Sequence, residues 1–337
     1  MATQPDTRPR TVVLLQFSGI GDLIWHIVYF KAIAAQSQGG RITVVAQPST
    51  LVKAFLGQAP WVERIIEHDH RPRRTEKRRG RHAGLTGMWR MAQELRAGHY
   101  DRIVLFSGRI SRGLVAALSG IPDRRGYGYR WLQRIFLNQG PFIQAHPGPS
   151  VAAYPEASAF AVAHGFADQW LRPTLEVPDD QMIAMRERLK DLPRPLYALA
   201  IGTSETHKQW GETHYARLTE ALIQGGAGVV ILGGPAERDI AKSILAQVEP
   251  ACRPQLAVIT DASVYGSAAI LKLADACVGN DTGMVNVAAA VDTPTYVLMG
   301  SRPALDHDRA HMTMVNAPSL REVSVAQVVA LLKGSTD

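Results

Sequence analysis

Cysteine is nearly absent from this 337-residue chain, with only Cys252 and Cys277 present. Two thiols build no disulfide framework and, without other ligands, no zinc site, so a reducing cytoplasm is the expected compartment. Long apolar runs are missing too. No stretch approaches the ~20 residues a helix needs to cross a bilayer. One segment has the look of an export signal: Arg8 and Arg10 precede the apolar residues 11–17. It breaks at once into Ser18-Gly19-Ile20-Gly21-Asp22, with no small-residue cleavage site, which argues against export. Aromatic residues make up 7% of the chain and none interleaves with its most basic stretch. With no nucleic-acid motif either, nucleic acid is not an expected partner.

The remaining composition, 46% apolar and 20% charged, is that of a globular protein. At this length two domains are the natural expectation. The net charge of +7 is concentrated in residues 71–82, which hold seven Lys/Arg against one Glu. Without that stretch the chain would carry only about +1, so this is a local basic loop and not a basic protein. A solvated loop is the plain reading. The functional ones are attraction to an anionic membrane face or to a phosphorylated or carboxylated acceptor.

Along the chain, apolar strand-like runs alternate with helical patterns. Residues 11–17, 41–46, 62–66 and 102–106 read as strands, and 23–36, 51–56, 85–97 and 110–118 as helices. Pro173, Pro178, Pro193 and Pro195 then punctuate a single helical piece, 180–190, whose Asp179-Asp180 start suits an N-cap. Alternation resumes with strands at 196–201, 228–232, 256–259, 274–278 and 295–299 and with helices at 211–224, 236–247, 266–273 and 324–332. Such alternation predicts α/β architecture with parallel sheets in two doubly wound halves, and ligands outside the carboxyl ends of the strands. The expected division is a first domain at 1–172, a connection at 173–195 and a second domain at 196–320. A terminal helix in 321–337 is expected to pack back on the first domain.

Four turns carry candidate chemistry. Asn280-Asp281-Thr282-Gly283 lies between a strand and an Ala-rich helix, where backbone amides and the helix dipole suit phosphate oxygens. A capped helix between two parallel strands is the bland alternative. Ser18-Gly19-Ile20-Gly21-Asp22 follows the first strand. Its third glycine position falls on Ile24, so the dinucleotide fingerprint is incomplete. Asp22 opens a helix at the sheet edge, as a dipole-stabilising carboxylate or as a base for a hydroxyl proton. His26, one turn on, could orient it or simply fill the core. Thr203-Ser204-Glu205-Thr206-His207-Lys208 offers hydroxyls and a compact cation for a departing diphosphate, or is a polar loop. Gly233-Gly234-Pro235-Ala236-Glu237 places a carboxylate where it could hold ribose hydroxyls or sit as a first-turn helix Glu.

Taken together, Ser18 to Asp22, Gly202-Thr203-Ser204 with Lys208 and Trp210, Gly233-Gly234 with Glu237, and Asn280 to Gly283 with Asn286 resemble glycosyltransferase family 9, the heptosyltransferases of lipopolysaccharide core assembly. Ile121-Pro122-Asp123-Arg124-Arg125-Gly126-Tyr127 matches a turn of that family's first domain, and the resemblance spans roughly residues 11 to 300. It implies a GT-B fold, two Rossmann-like domains facing a central cleft. It also implies an ADP-heptose donor, inversion at the anomeric carbon, and no metal or other cofactor. Asp22 then matches the general base, and Thr203, Ser204 and Lys208 the phosphate loop. Glu237 matches the ribose contact, and Asp281, Thr282 and Gly283 the diphosphate turn. Where this chain has Asn286 the family usually has His, and an amide donates hydrogen bonds but never becomes cationic.

On that reading Ser18, Gly19, Gly21, Arg71, Arg73, Arg74 and Arg124 face an anionic lipopolysaccharide-core acceptor carrying carboxylates and phosphates. The enzyme would be cytoplasmic, with peripheral contact at the inner membrane face. Two other classes stay open: a nucleotide-sugar-binding protein with weak or no transfer activity, suggested by Asn286, and a NAD-linked oxidoreductase, disfavoured by the missing glycine. Asp306-His307-Asp308 has a cation-binding pattern, but so short a match carries little weight against the expectation of no metal.

Overall fold

The computed structural model describes residues 6–71, 76–148, 151–203, 205–302 and 310–334. The chain forms two compact units that divide after Arg172. In the first, β1 (Thr11–Leu15), β2 (Ile42–Ala46), β3 (Val62–Glu67), β4 (Arg102–Phe106) and β5 (Asp123–Gly126) form one parallel sheet, in the order β3-β2-β1-β4-β5. Helices α1 (Ile20–Ala35), α2 (Val52–Leu56), α3 (Gly84–Arg96) and α4 (Ile110–Ser119) make the crossovers, followed by α5 (Trp131–Arg134) and α6 (Ala153–Ala163). β1 is buried at every position, as expected of a central strand covered on both faces. Val12, Leu14, Ile103 and Leu105 pack on Met91 and Leu95 of α3 and Val115 of α4.

The second unit begins with α7 (Asp179–Arg188). It continues through β6 (Leu196–Ala200), α8 (Glu212–Gln224), β7 (Gly228–Leu232), α9 (Arg238–Gln247), β8 (Leu256–Ile259) and α10 (Val264–Leu273). β9 (Ala276–Asn280), α11 (Gly283–Ala290), β10 (Thr295–Gly300), β11 (Met312–Asn316) and α12 (Val325–Lys333) complete it. Its parallel sheet runs β11-β10-β9-β6-β7-β8. The doubly wound expectation therefore holds in both units. The strand order reverses between β1 and β4 in the first and between β6 and β9 in the second, the topological switch points where such sheets bind ligands. Among the described residues no helix is long and apolar enough to cross a membrane.

Several elements differ from the sequence reading, each for a local reason. α1 starts at Ile20 and not Leu23, because the Asp22 carboxylate reaches back to the Gly19 amide at 2.8 Å and closes the first turn. Residues 123–126, charged and read as a turn, form edge strand β5, with Asp123 paired to Arg102 at 2.8 Å and Arg125 at 3.0 Å. α6 had no recognisable stripe because it buries residues nearly all round, packed on α1 and tied by Tyr29 Oη to Ser158 Oγ at 2.6 Å. Pro178, not Asp179 or Asp180, caps α7, which packs on α10. The terminal helix packs on α8 of its own unit through buried Val328 and Leu332. β9 extends to Asn280, so that polar residue ends a strand and is fully buried.

At the second switch point Gly279 leaves no room for a side chain. A Cβ there would lie 2.8 Å from both Ala200 Cβ and Val285 Cγ1. Gly279→Ala is therefore expected to destabilise the protein by about 1–3 kcal/mol, read as a lower urea midpoint with an unchanged slope. An unchanged midpoint would show that β6, β9 and α11 are not packed this tightly.

Candidate active site

The second unit's switch point is organised by Asn280. Its Nδ2 donates to Ile201 O at 3.0 Å and to Gln209 Oε1 at 2.9 Å, and its Oδ1 accepts from Trp210 N at 3.1 Å. The loop after β6 is thus pinned to the end of β9, holding residues 201–210 beside the turn that opens α11. Trp210, buried under this loop, donates Nε1–H to Val323 O at 2.9 Å. Thr203 Oγ1 donates to Glu205 O at 3.1 Å and accepts from Glu205 N at 3.2 Å, which closes a tight polar bend.

Charge gathers on that frame. Lys208 Nζ lies 3.3 Å from Glu205 Oε1 and 3.5 Å from Asp281 Oδ2, and Arg302 Nη1 also pairs with Asp281. Asp281 thus holds two cations at the mouth of α11. Thr282 caps α11 with extended backbone, and its Oγ1 is buried with no hydrogen-bond partner among the described residues. A buried hydroxyl with nothing to bond, at the positive end of a helix and beside two cations, suits a phosphate oxygen. Gly283 begins the helix with no Cβ to crowd an approaching ligand. Asn286, nearly buried, donates Nδ2–H to Thr282 O at 2.8 Å, so its amide braces the first turn. Glu237 Oε2 accepts from Gly234 N at 2.8 Å, and the rest of its carboxylate lies against Gly202. Residues 201–203 and 205–208, the α11 turn and Glu237 therefore come together in the second unit. Ser204 lies outside the described residues.

In the first unit Asp22 sits half-buried at the third position of α1, one oxygen fixed by Gly19 N. His26 does not orient that carboxylate. Its Nδ1 donates to the backbone carbonyl of Asp22 at 2.5 Å, and the ring is fully buried edge-on to Phe106. Ser18 is exposed and offers its carbonyl to Ser49 Oγ at 2.8 Å, while Gly21 is buried in the helix. Arg124 is taken up structurally. Its guanidinium donates to Phe136 O and Ile121 O, both at 2.8 Å, and so supports the β5 turn. Arg71 is exposed; Arg73, Arg74 and the 306–308 pattern lie outside the described residues. The rest of the basic run is partly neutralised, Arg78 by Asp69 and Glu76 and Arg81 by Glu94. Among the described residues no group of three or more His, Cys, Asp or Glu is arranged to hold a metal ion.

Sequence reasoning missed Arg302 and the bracing role of Asn280. The signal for Arg302 was its place directly after β10, at the carboxyl edge where ligands bind. Asn280 gave none, because its role depends on partners 70 or more residues away.

Two parallel-sheet units, one with cations gathered at its switch point, define a doubly wound α/β class of protein. The model of glycosyltransferase family 9 (heptosyltransferase) matches residues 88–307. Lipopolysaccharide heptosyltransferase 2 of Salmonella typhimurium is 27% identical over 236 residues, 67% of each chain. Among solved structures, Escherichia coli ADP-heptose lps heptosyltransferase II superposes with a TM-score of 0.73 at 21% identity, covering 96% of this chain and 98% of that one. An Escherichia coli heptosyltransferase with ADP-2-deoxy-2-fluoro heptose gives 0.69 at 20% identity, over 96% and 99%. The chain belongs to glycosyltransferase family 9, with its GT-B fold, and is a glycosyltransferase.

Burial lowers the His26 pKa from 6.5 to about 4. Above pH 6.5 the ring is neutral folded and unfolded, and its contribution to stability is complete. Between 6.5 and about 4 the unfolded chain binds the proton and the folded one does not, so stability falls with pH. Urea midpoints measured from pH 7 to pH 4 are expected to drop, with a shallower drop in His26→Phe. An identical pH profile in that variant would show that His26 does not contribute.

Proposed function

We propose that the protein transfers a sugar, heptose from ADP-heptose, to an inner-core lipopolysaccharide acceptor with inversion, on the cytoplasmic side of the membrane. The observation that carries this reading is the α11 mouth, where Lys208, Arg302, the first-turn amides and the unpartnered Thr282 Oγ1 converge. It is supported by the relatives' printed activity, lipopolysaccharide heptosyltransfer, and by the donor analogue bound to one of them.

In this mechanism Thr203, Ser204, Lys208, Asp281, Thr282 and Gly283 bind the donor diphosphate, and Glu237 holds the ribose hydroxyls. Lys208 and Arg302 exchange part of their carboxylate pairing for phosphate oxygens, so the developing charge on ADP is met by fixed cations and helix amides. The reading assigns no role to a metal ion. Asp22 takes the proton of the attacking acceptor hydroxyl. The bond from that oxygen to the anomeric carbon forms as the bond to the phosphate oxygen breaks, and ADP departs with the electron pair. A diphosphate leaves without protonation, so one carboxylate is enough.

Asn at position 22 keeps an oxygen for the Gly19 amide, so the substitution removes basicity and preserves the cap. Asp22→Asn is expected to lower kcat by about 100-fold or more with ADP affinity nearly unchanged. Wild-type turnover in that variant would exclude Asp22 as the base.

Peripheral membrane contact is part of the proposal. Trp131 and Ile135 are 68% and 64% exposed around α5, directly after Arg130 and Arg134 respectively, a pairing of aromatic, aliphatic and cationic groups suited to an anionic interface. Vesicles containing phosphatidylglycerol should retain the protein better than neutral ones, and Trp131→Ala with Ile135→Ser should abolish the difference. Equal partitioning of wild type to both vesicles would refute membrane contact at this face.

A further inference from the structure

A second cationic cluster, in the first unit, has no part in the mechanism above. Arg112 occupies the first turn of α4 and is only 4% exposed, with its Nε unpartnered. Arg109 caps the same helix and is exposed. Among the described residues neither guanidinium pairs with a carboxylate, and the first turn of α4 carries no acidic residue. Two cations at the positive end of a helix, one of them buried, repel both each other and the dipole.

The chain leaving β3 brings imidazoles to the same place. His68 is buried and stacks on His70, with ring centroids 4.5 Å apart and planes inclined by 19°. Nδ1 of each ring is buried with no hydrogen-bond partner among the described residues. Burial, and next the Arg112 charge, lowers the His68 pKa to about 2 and that of His70 to about 4. Burial and the neighbouring Arg109 lower the Arg112 pKa to about 10. Both rings are therefore neutral near pH 7; the His70 ring shares its proton with the His68 backbone, and the His68 ring has an N–H to donate. His82, alongside, differs: its Nδ1 accepts from Asp69 N at 3.1 Å and its Nε2 lies 3.4 Å from a Glu94 oxygen. Unpaired donors and cations collected without an acceptor are complementary to one kind of ligand, an oxyanion.

We propose that Arg109, Arg112, His68 and His70, with the first-turn amides of α4, form a subsite for a phosphate or carboxylate group of the acceptor. Arg112 and His68 form its floor, and Arg109 and His70 its rim. The inference rests on reading the first unit as the acceptor side, and it adds the residues and the ligand chemistry. An anion seated here would neutralise charge that the fold leaves uncompensated, and would fix the acceptor by its acidic substituent while its hydroxyl approaches the base.

The test follows the imidazole Hε1 resonances of His68 and His70 in the full-length protein saturated with ADP, so that the donor site is filled. The rings are assigned through His68→Gln and His70→Gln. Inorganic phosphate is titrated in one arm and glucuronate, a sugar carboxylate, in the other. A saturable shift of both rings is expected in at least one arm, and the arm that saturates identifies the group. Arg112→Gln should weaken that binding by about tenfold or more. Exposed Arg109→Gln should weaken it as well, which keeps the test valid should the buried variant fail to fold. No saturable shift in either arm would overturn the subsite, as would a shift unaltered in Arg109→Gln. Failure of ADP to bind would count against the donor reading and leaves this readout intact, because the rings report on the added anion whether or not transfer occurs.

Discussion

Asn280 is the contact on which the candidate donor site depends. Its amide joins the end of β9 to the loop after β6, across the gap where the sheet reverses its order. A buried amide left unsatisfied costs about 1–3 kcal/mol, so this side chain is favourable only while Ile201, Gln209 and Trp210 keep their places. That requirement fixes the length and path of the loop. Trp210 carries it further, since its indole N–H holds the carbonyl of Val323 and with it the approach to α12. The polar tie at the switch point therefore also anchors the last helix of the unit, which explains why α12 stays with α8.

Two cationic groups at the two switch-point faces differ in how they are balanced. Lys208 and Arg302 share Asp281, with Glu205 as a second partner for the lysine. The Lys208 distances of 3.3 and 3.5 Å are those of loose ion pairs, and such partly exposed pairs hold their members weakly. On the proposed reading, an arriving diphosphate competes with carboxylates that have little grip, while Asp281 offsets the repulsion between the two cations. Among the described residues Arg112 has no such counter-charge. One group is balanced by the chain itself and the other is left to be balanced by something outside it.

The central strands were legible because burial on both faces leaves a plain apolar run, as in residues 102–106 and 228–232, where reading and structure coincide. Edge and satellite elements were not. β5 is hidden by its charges, which suit an edge strand, and α6 by burial all around its axis. At the site, Lys208, Asp281 and Thr282 could be picked out because each follows a strand end within a turn of small polar residues. What a side chain does after folding was harder to read. Arg124 looked like a ligand contact, and the sequence hid that two of its donors go to the carbonyls of Ile121 and Phe136, one of them supplied by a segment a dozen residues on. The stacked histidines and Arg112 were invisible for the same reason, since their meaning lies in a meeting of two separate strand ends.

Asn286 shows how a departure from a family pattern can be absorbed. Its position is 5% exposed, inside the first turns of α11, with the amide donating to Thr282 O. A histidine in that environment would lose protonation through burial, as His26 and His68 do. It would act in the empty site mainly as a neutral donor, a role that an amide also fills. The charge near the phosphates need not come from this position, because Lys208 and Arg302 stand at the same helix mouth on elements that the sheet fixes. Replacing His by Asn here removes a titratable group and preserves the hydrogen bond that shapes the turn. On the proposed reading, electrostatic binding then rests on Lys208 and Arg302, both paired with Asp281.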